Sequence, residues 1–281
     1  MNITKNIILE GKHHKPILVD VFYQENHTPK PILIFCHGYK GYKDWGAWNE
    51  MAKIFAQKGF FFVKFNFSYN GGTVKQPIDF PDLEAFGNNN FIKELDDFNT
   101  VINWITSLKE YKKELDIQQL FLMGHSRGGG IVTIKAAEDV RVKKVISLAG
   151  VSDYKSRFPT GEILKKWEQE GVIYIQNERT KQQMPHFYQF YTNFIENEER
   201  LTIKNAVANL KIPLLIIHGD KDPTVLIDEA KNLHQWCLKS TLAIIKDANH
   251  GFGTQHPWKG KQLSEDLEKA VDYCVQFLKK S

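Results

Sequence analysis

The sequence predicts an α/β fold on a mostly parallel, doubly wound sheet. Apolar runs of strand length alternate with helix-length amphipathic segments along most of the chain. One run, Leu120 to Met123, ends in Gly124-His125-Ser126-Arg127-Gly128 and passes at once into a helical stretch from Ile131 to Glu138. The alternation breaks once, from about 151 to 209, and then resumes, as expected of a single core carrying an insertion.

Each element has its own signal. Ile7 to Leu9 and Ile17 to Phe22 flank a Gly- and Pro-bearing turn and read as an edge hairpin. The adjacent His13 and His14 belong to that solvated turn, and no metal site is expected there. Pro31 to Cys36 is continuously apolar, like a strand buried on both faces, and runs into His37-Gly38-Tyr39. A helix over Trp48 to Lys58 and a buried strand over Phe60 to Phe67 follow. The polar stretch from Tyr69 to about Asn90 reads as a long loop bordering a site. Phe91, Leu95, Phe98, Val101, Ile102 and Ile105 share one face of the next helix. The strand before Ser126 and the strand Val142 to Ala149 complete the first half. Pro213 to Ile217, Leu226 to Leu238, Thr241 to Lys246 and Leu263 to Lys280 give strand, helix, strand and closing helix.

Composition narrows the function. The chain has 281 residues, 42% hydrophobic, enough for one large core. Its 37 basic and 33 acidic residues leave a net charge of +4, too small to argue for nucleic acid or an anionic membrane. Met1 to Glu10 lacks the apolar centre of a signal peptide, and no apolar run is long enough to span a bilayer. A soluble, cytoplasmic protein is expected. Cys36, Cys237 and Cys274 lie far apart without metal-ligand spacing, and their odd number argues against a disulfide framework.

The glycine-serine motif carries the chemistry. With nine serines and 19 glycines, chance placement gives about 0.04 such matches. A serine hydroxyl is a poor nucleophile until it is lifted off the scaffold and presented to a base. A tight strand-to-helix turn does that, and glycines on either side make room for it. The bland alternative is a glycine-rich turn with a capping serine, but the buried strand before it and Gly129-Gly130 behind favour the nucleophile. A base and an orienting acid are then needed. Asp220 and Asp222 follow the strand ending at Ile217-His218, and His250 follows the next strand. In open parallel sheets chemistry gathers at the carboxyl ends of strands, where all of these lie.

Here the chain resembles the α/β-hydrolase superfamily, in its dienelactone-hydrolase and prolyl-oligopeptidase-like branch, and most nearly the small capped cinnamoyl and feruloyl esterases. Gly124-His125-Ser126-Arg127-Gly128 matches the nucleophile elbow, His218-Gly219-Asp220-Lys221-Asp222 the acid loop and Asn249-His250-Gly251-Phe252 the histidine loop. The resemblance implies the α/β-hydrolase fold, with residues 1–150 and 210–281 as core and 151–209 as an inserted cap. It implies Ser126, Asp222 and His250 as the catalytic set, with the second aspartate of the acid loop preferred to Asp220. The backbone N–H groups of Tyr39 and Arg127 would form the oxyanion hole. His37 is expected to order its loop, His125 to pack beside the elbow, and His256 is a weak rival to His250.

The implied activity is ester hydrolysis without metal or cofactor, on small to medium and hydroxycinnamoyl-like esters. Peptide or thioester cleavage, and a non-catalytic binding protein on the same fold, are the competing readings. The expected partner is a small-molecule ester; neither nucleic acid nor a membrane is expected, and a homo-oligomer is compatible with the sequence. Within 151–209 the dense aromatics place Tyr174 and Tyr188 as expected substrate contacts, against the alternative that these rings only pack the cap.

Overall fold

The computed structural model describes residues 1–280. The chain runs β1 (Asn2–Glu10), β2 (Pro16–Tyr23), β3 (Lys30–Cys36), α1 (Trp48–Gln57), β4 (Phe61–Asn66), α2 (Leu83–Gly87), α3 (Phe91–Ser107), β5 (Leu115–His125), α4 (Arg127–Glu138) and β6 (Val142–Leu148). It continues with α5 (Gly161–Glu170), β7 (Val172–Gln176), β8 (Gln183–Phe187), α6 (Gln189–Glu196), α7 (Glu198–Leu201), α8 (Ile203–Ala208), β9 (Leu214–Gly219), α9 (Ile227–Trp236), β10 (Ser240–Ile245) and α10 (Glu265–Lys279).

Eight strands form one sheet in the order β1-β2-β4-β3-β5-β6-β9-β10. The β1/β2 and β2/β4 pairs are antiparallel. From β4 to β10 every pair is parallel. The pleat sends alternate side chains to two separate cores. Ile32, Ile34, Leu120 and Leu122 join the face covered by α3, α4 and α9. Leu33, Phe35, Phe121 and Met123 join the face covered by α1 and α10. Each fully buried side chain of this size contributes roughly 1.5–3 kcal/mol. A one-residue slip of β3 would exchange the two sets, so its register is fixed from both sides.

Three local differences from the sequence reading have simple causes. β5 starts at Leu115 rather than Leu120, because its first turns carry Ile117, Gln118 and Gln119 into solvent and show no apolar run. The run from His186 to Tyr191 is half strand and half helix. β8 stops at Phe187, and from there Phe190 and Phe194 repeat at helical spacing to make the buried stripe of α6. Within the 69–90 loop lies the short helix α2, capped where Asp82 Oδ1 accepts the Ala85 N–H at 2.8 Å.

β7 and β8 pair antiparallel in a sheet of their own, from Val172 opposite Phe187 to Gln176 opposite Gln183. The hairpin and the start of α6 are tied to the 69–90 loop. Gln189 Nε2 donates to the Asn89 carbonyl at 2.9 Å, and Asn90 Nδ2 donates to Gln189 Oε1 at 2.9 Å. Arg179 pairs with Asp79 in the same region. Among the described residues no helix is long and apolar enough to cross a membrane.

Candidate active site

Ser126 sits between the last residue of β5 and the first of α4, with φ 57° and ψ −122°. A non-glycine residue in that conformation costs on the order of 1–3 kcal/mol and persists only where its surroundings hold it. Here they do. The Ser126 N–H donates to the Leu148 carbonyl at 2.9 Å, and its own carbonyl accepts from Gly129 N–H at 2.9 Å. The flanking glycines are required by contact. A side chain at Gly124 would run into the Gly128 carbonyl, and one at Gly38 would come within 2.8 Å of Ser126 Cβ. The loop after β3 therefore presses directly on the serine.

That loop is held from below by charges. Lys43 and Lys64, both fully buried, bracket Asp20 at 2.9 and 2.7 Å and also bind Asp44 at 2.5 and 2.9 Å. Burial would raise the Asp44 pKa, but the two ammonium groups hold it well below the usual carboxylate range. Lys43 N–H adds a 2.6 Å bond to Asn66 Oδ1 at the end of β4. Two lysines and two aspartates balance, and removing one partner from such a buried set costs roughly 3–5 kcal/mol. His37 completes the clamp. Its Nδ1–H donates to the Gly38 carbonyl at 2.9 Å, leaving Nε2 to accept from Phe67 N–H at 3.4 Å. Burial lowers its pKa to about 4, and Arg127 adds to the effect, so it is a neutral loop-ordering group.

The acid loop and the histidine loop meet beyond β9 and β10. His250 Nδ1 donates to Asp222 Oδ2 at 2.7 Å. The other carboxylate oxygen accepts the N–H groups of Thr224 at 2.8 Å and Val225 at 2.9 Å. Burial works against the charge, yet the His250 bond and these two donors hold the Asp222 pKa below the ordinary value. His218 Nε2–H ties the same loop to the Val225 carbonyl at 2.7 Å. Asp220 lies elsewhere: it is exposed, and its Oδ1 accepts Asp247 N–H at 2.6 Å. Asp222, not Asp220, is the carboxylate that meets His250.

The remaining histidines separate cleanly. His125 Nε2–H donates to the His250 carbonyl at 2.8 Å, and its ring packs against Trp48. Burial, reinforced by His250, lowers its pKa to about 3. It links the residue before Ser126 to the histidine loop. His256 accepts Gly46 N–H at 3.1 Å and packs on Tyr42, away from Asp222.

Ser126 opens into a cavity of about 240 Å³. Tyr39, Arg127, Thr224 and Val225 line it from the strand-end loops, and Tyr154, Phe158, Trp167, Ile173, Ile175, His186 and Phe190 from the 151–209 segment. Trp167 is fully buried, with its indole N–H on the His186 carbonyl at 2.7 Å. Tyr39 O–H donates to His186 Nε2 at 2.9 Å, joining the loop after β3 to β8. The backbone N–H groups of Tyr39 and Arg127 stand at two turns, beside the Gly41 to Gly38 bond at 3.1 Å and the Gly129 to Ser126 bond at 2.9 Å. Arg127 is the first residue of α4, where backbone N–H groups have no partner within the helix.

Tyr174 and Tyr188, the expected substrate contacts, lie outside the cavity lining. Successive residues of a strand face opposite ways, so Ile173 and Ile175 turn inward while Tyr174 is 60% exposed on the outer face of β7. Tyr188 packs its ring on Trp167 and Tyr191 behind the wall. The sequence drew attention to the tyrosines as aromatic handles, and the isoleucines flanking Tyr174 gave no polar contrast to mark the inner face. His186 and the Arg127 side chain were also missed; a histidine in a hairpin and an arginine inside a serine motif have no distinctive spacing.

The fold itself is that of a known class. The chain matches the alpha/beta hydrolase fold family over residues 31–174, just over half of its length, and belongs to that family. It is 28% identical over 154 residues to an uncharacterized 31.7 kDa protein of the traX-finO intergenic region of Escherichia coli, a match covering 54% of this chain and 47% of that protein. The quorum-quenching protein AidA of Acinetobacter baumannii (strain MDR-ZJ06) is 27% identical over 123 residues, 44% of this chain and 36% of its own. The chain thus spans about half the length, or less, of the curated relatives it matches. Among solved structures, Est1E of Butyrivibrio proteoclasticus with bound ferulic acid superposes with a TM-score of 0.69 over 97% of both chains, at 17% identity. That last likeness is one of fold.

Proposed function

We propose that the protein is a serine carboxylic-ester hydrolase with Ser126 as nucleophile, His250 as base and Asp222 as orienting acid. The observation that carries the reading is the 2.7 Å bond from His250 Nδ1 to a buried, doubly anchored Asp222, on the same sheet edge as the strained Ser126. With Nδ1 committed as donor, Nε2 is the nitrogen left to take a proton. His250 removes the Ser126 hydroxyl proton as the oxygen attacks the ester carbonyl. Asp222 holds the tautomer and stabilises the imidazolium that forms. The oxyanion is received by the N–H groups of Tyr39 and Arg127, the latter at the positive end of the α4 dipole. His250 returns its proton to the leaving alcohol, then activates water to release the acyl group from Ser126.

The 151–209 segment acts as a cap, since it supplies the apolar wall facing Ser126. A cavity of about 240 Å³ lined by Phe91, Tyr154, Phe158, Trp167 and Phe190 suits a flat aryl or medium-length acyl group, hydroxycinnamoyl esters among them. Est1E, which shares the fold, has been solved with ferulic acid bound, a molecule of the class proposed here. The test is hydrolysis of 4-nitrophenyl and hydroxycinnamate esters by the native protein and by Ser126→Ala. The variant is expected to keep the native circular dichroism spectrum and melting behaviour and to lose activity by about three orders of magnitude or more. Near-native turnover in a folded Ser126→Ala protein would remove the proposal.

A further inference from the structure

Ser126 faces a cavity whose charged lining is unusual. Among its lining residues the only ionic groups are two guanidiniums, Arg127 and Arg157, with no carboxylate. Arg127 is the more enclosed, its side chain 15% exposed against 38% for Arg157. Its guanidinium lies within 4.8–5.1 Å of the ring centres of Tyr39, Phe91 and Phe190. This aromatic sleeve fixes the plane of the group and keeps water from its faces.

The pairing of Arg127 is one-sided. Nη1 donates to Glu94 Oε1 at 3.1 Å, its one hydrogen bond among the described residues. Glu94 Oε1 also accepts Asn89 Nδ2 at 2.7 Å, while the buried Oε2 has no partner. A contact meant only to fasten α3 to α4 would be stronger as a two-pronged pair using both oxygens. Instead Glu94 grips one corner of a planar fork, and the Nε and Nη2 donors, which have no partner among the described residues, are left for a ligand.

We infer that the Arg127 guanidinium is a specificity group that binds a carboxylate at the far end of the substrate's acyl chain. The preferred substrates are then half-esters of dicarboxylic acids. This deepens the esterase reading and rests on it for the position of the scissile bond. The apolar walls contact the methylene chain or ring between the two carbonyl ends, and the fork meets the free carboxylate. Arg157, paired with Glu229 of α9, places a second guanidinium on the cavity wall.

The experiment compares mono-4-nitrophenyl adipate with 4-nitrophenyl hexanoate, which differ in the terminal carboxylate. The ratio of their kcat/KM values is measured for the native protein, Arg127→Met and Glu94→Gln. A charge-assisted pair of this kind is worth about tenfold or more, so Arg127→Met is expected to lower the adipate-to-hexanoate ratio by at least that factor. Glu94→Gln removes the competing carboxylate and is expected to raise the ratio. Opposite movements cannot come from a purely structural pair, whose two halves would shift stability together and leave the ratio alone. Unchanged ratios in both variants, or a fall in both, overturn the inference.

A binding arm separates this from the function itself. Monomethyl adipate and methyl hexanoate are titrated calorimetrically into Ser126→Ala, with and without Arg127→Met. Tighter binding of the adipate that vanishes with Arg127→Met supports the inference whether or not Ser126 is the nucleophile. Equal binding of the two esters overturns it even if the esterase reading stands.

Discussion

The cavity has two walls of different origin. On one side are the loops that leave β3, β5 and β9, lining it with Tyr39, Ser126, Arg127, Thr224 and Val225, with Asp222 and His250 behind them at the same sheet edge. On the other is the 151–209 segment, with its own two-stranded sheet and a packed group of rings around Trp167 and Phe158. The first wall is dictated by hydrogen bonds at close quarters: a strained serine, glycines that nothing larger can replace, a carboxylate with three donors. The second is set by packing, where many side chains of similar size would serve.

That difference also decided what the sequence could reveal. Strand ends followed by Gly-His-Ser-Arg-Gly, Gly-Asp-Lys-Asp and Asn-His-Gly are legible because few residues can occupy those turns. The parallel arrangement was legible because β3 to β6 and β9 each contain a run of consecutive buried residues and alternate with helices. The inner face of β7 was not, because Val172-Ile173-Tyr174-Ile175 is apolar throughout and only the pleat distinguishes its sides. The side chain of Arg127 was invisible for another reason. Its neighbours Phe91 and Phe190 lie 36 and 63 residues away in the chain, and nothing local announces that they converge.

The two walls should fail differently. The largest effect is expected at the first. Asp222→Asn leaves an amide that can turn its NH₂ toward His250 and favour the wrong tautomer, and kcat should fall by about four orders of magnitude. Asp220→Asn keeps an acceptor for Asp247 N–H and should remain close to wild type. Steady-state kinetics on one ester decides between them; similar losses in both would break the distinction between the two aspartates.

A smaller effect is expected at the second wall. Ile173→Ala removes a side chain that faces the cavity, and should cost about tenfold in kcat/KM, mostly through KM, for a substrate filling that space. Tyr174→Ala alters the outer face and should leave kinetics near native. The reverse order would mean that β7 presents its other side to the substrate.

The last effect concerns stability rather than rate, and it sharpens how the first wall is held. His37 and His125 in the strand-end loops, and His186 across the cavity, have pKa values lowered to about 4, 3 and 4, chiefly by burial. The unfolded chain binds protons at these sites from about pH 6.5, and the folded protein does not. Their contribution is therefore full above that pH and declines on acidification, by up to roughly 1.4 kcal/mol per pH unit for each histidine. Asp97 opposes this, since burial raises its pKa to about 7 despite its bonds to Ser68, and it favours the folded state as the pH falls. Three groups against one leave the urea midpoint falling from pH 7 to pH 5. A midpoint that rose over that interval would show that the buried histidines are not neutral.

The most direct measurement asks where the reactive hydroxyl is. A fluorophosphonate should label the native protein once, at Ser126 by peptide mass spectrometry, and His250→Gln should slow that labelling severely without unfolding the chain. Labelling at another residue, or a folded native protein that resists the reagent, would contradict the account.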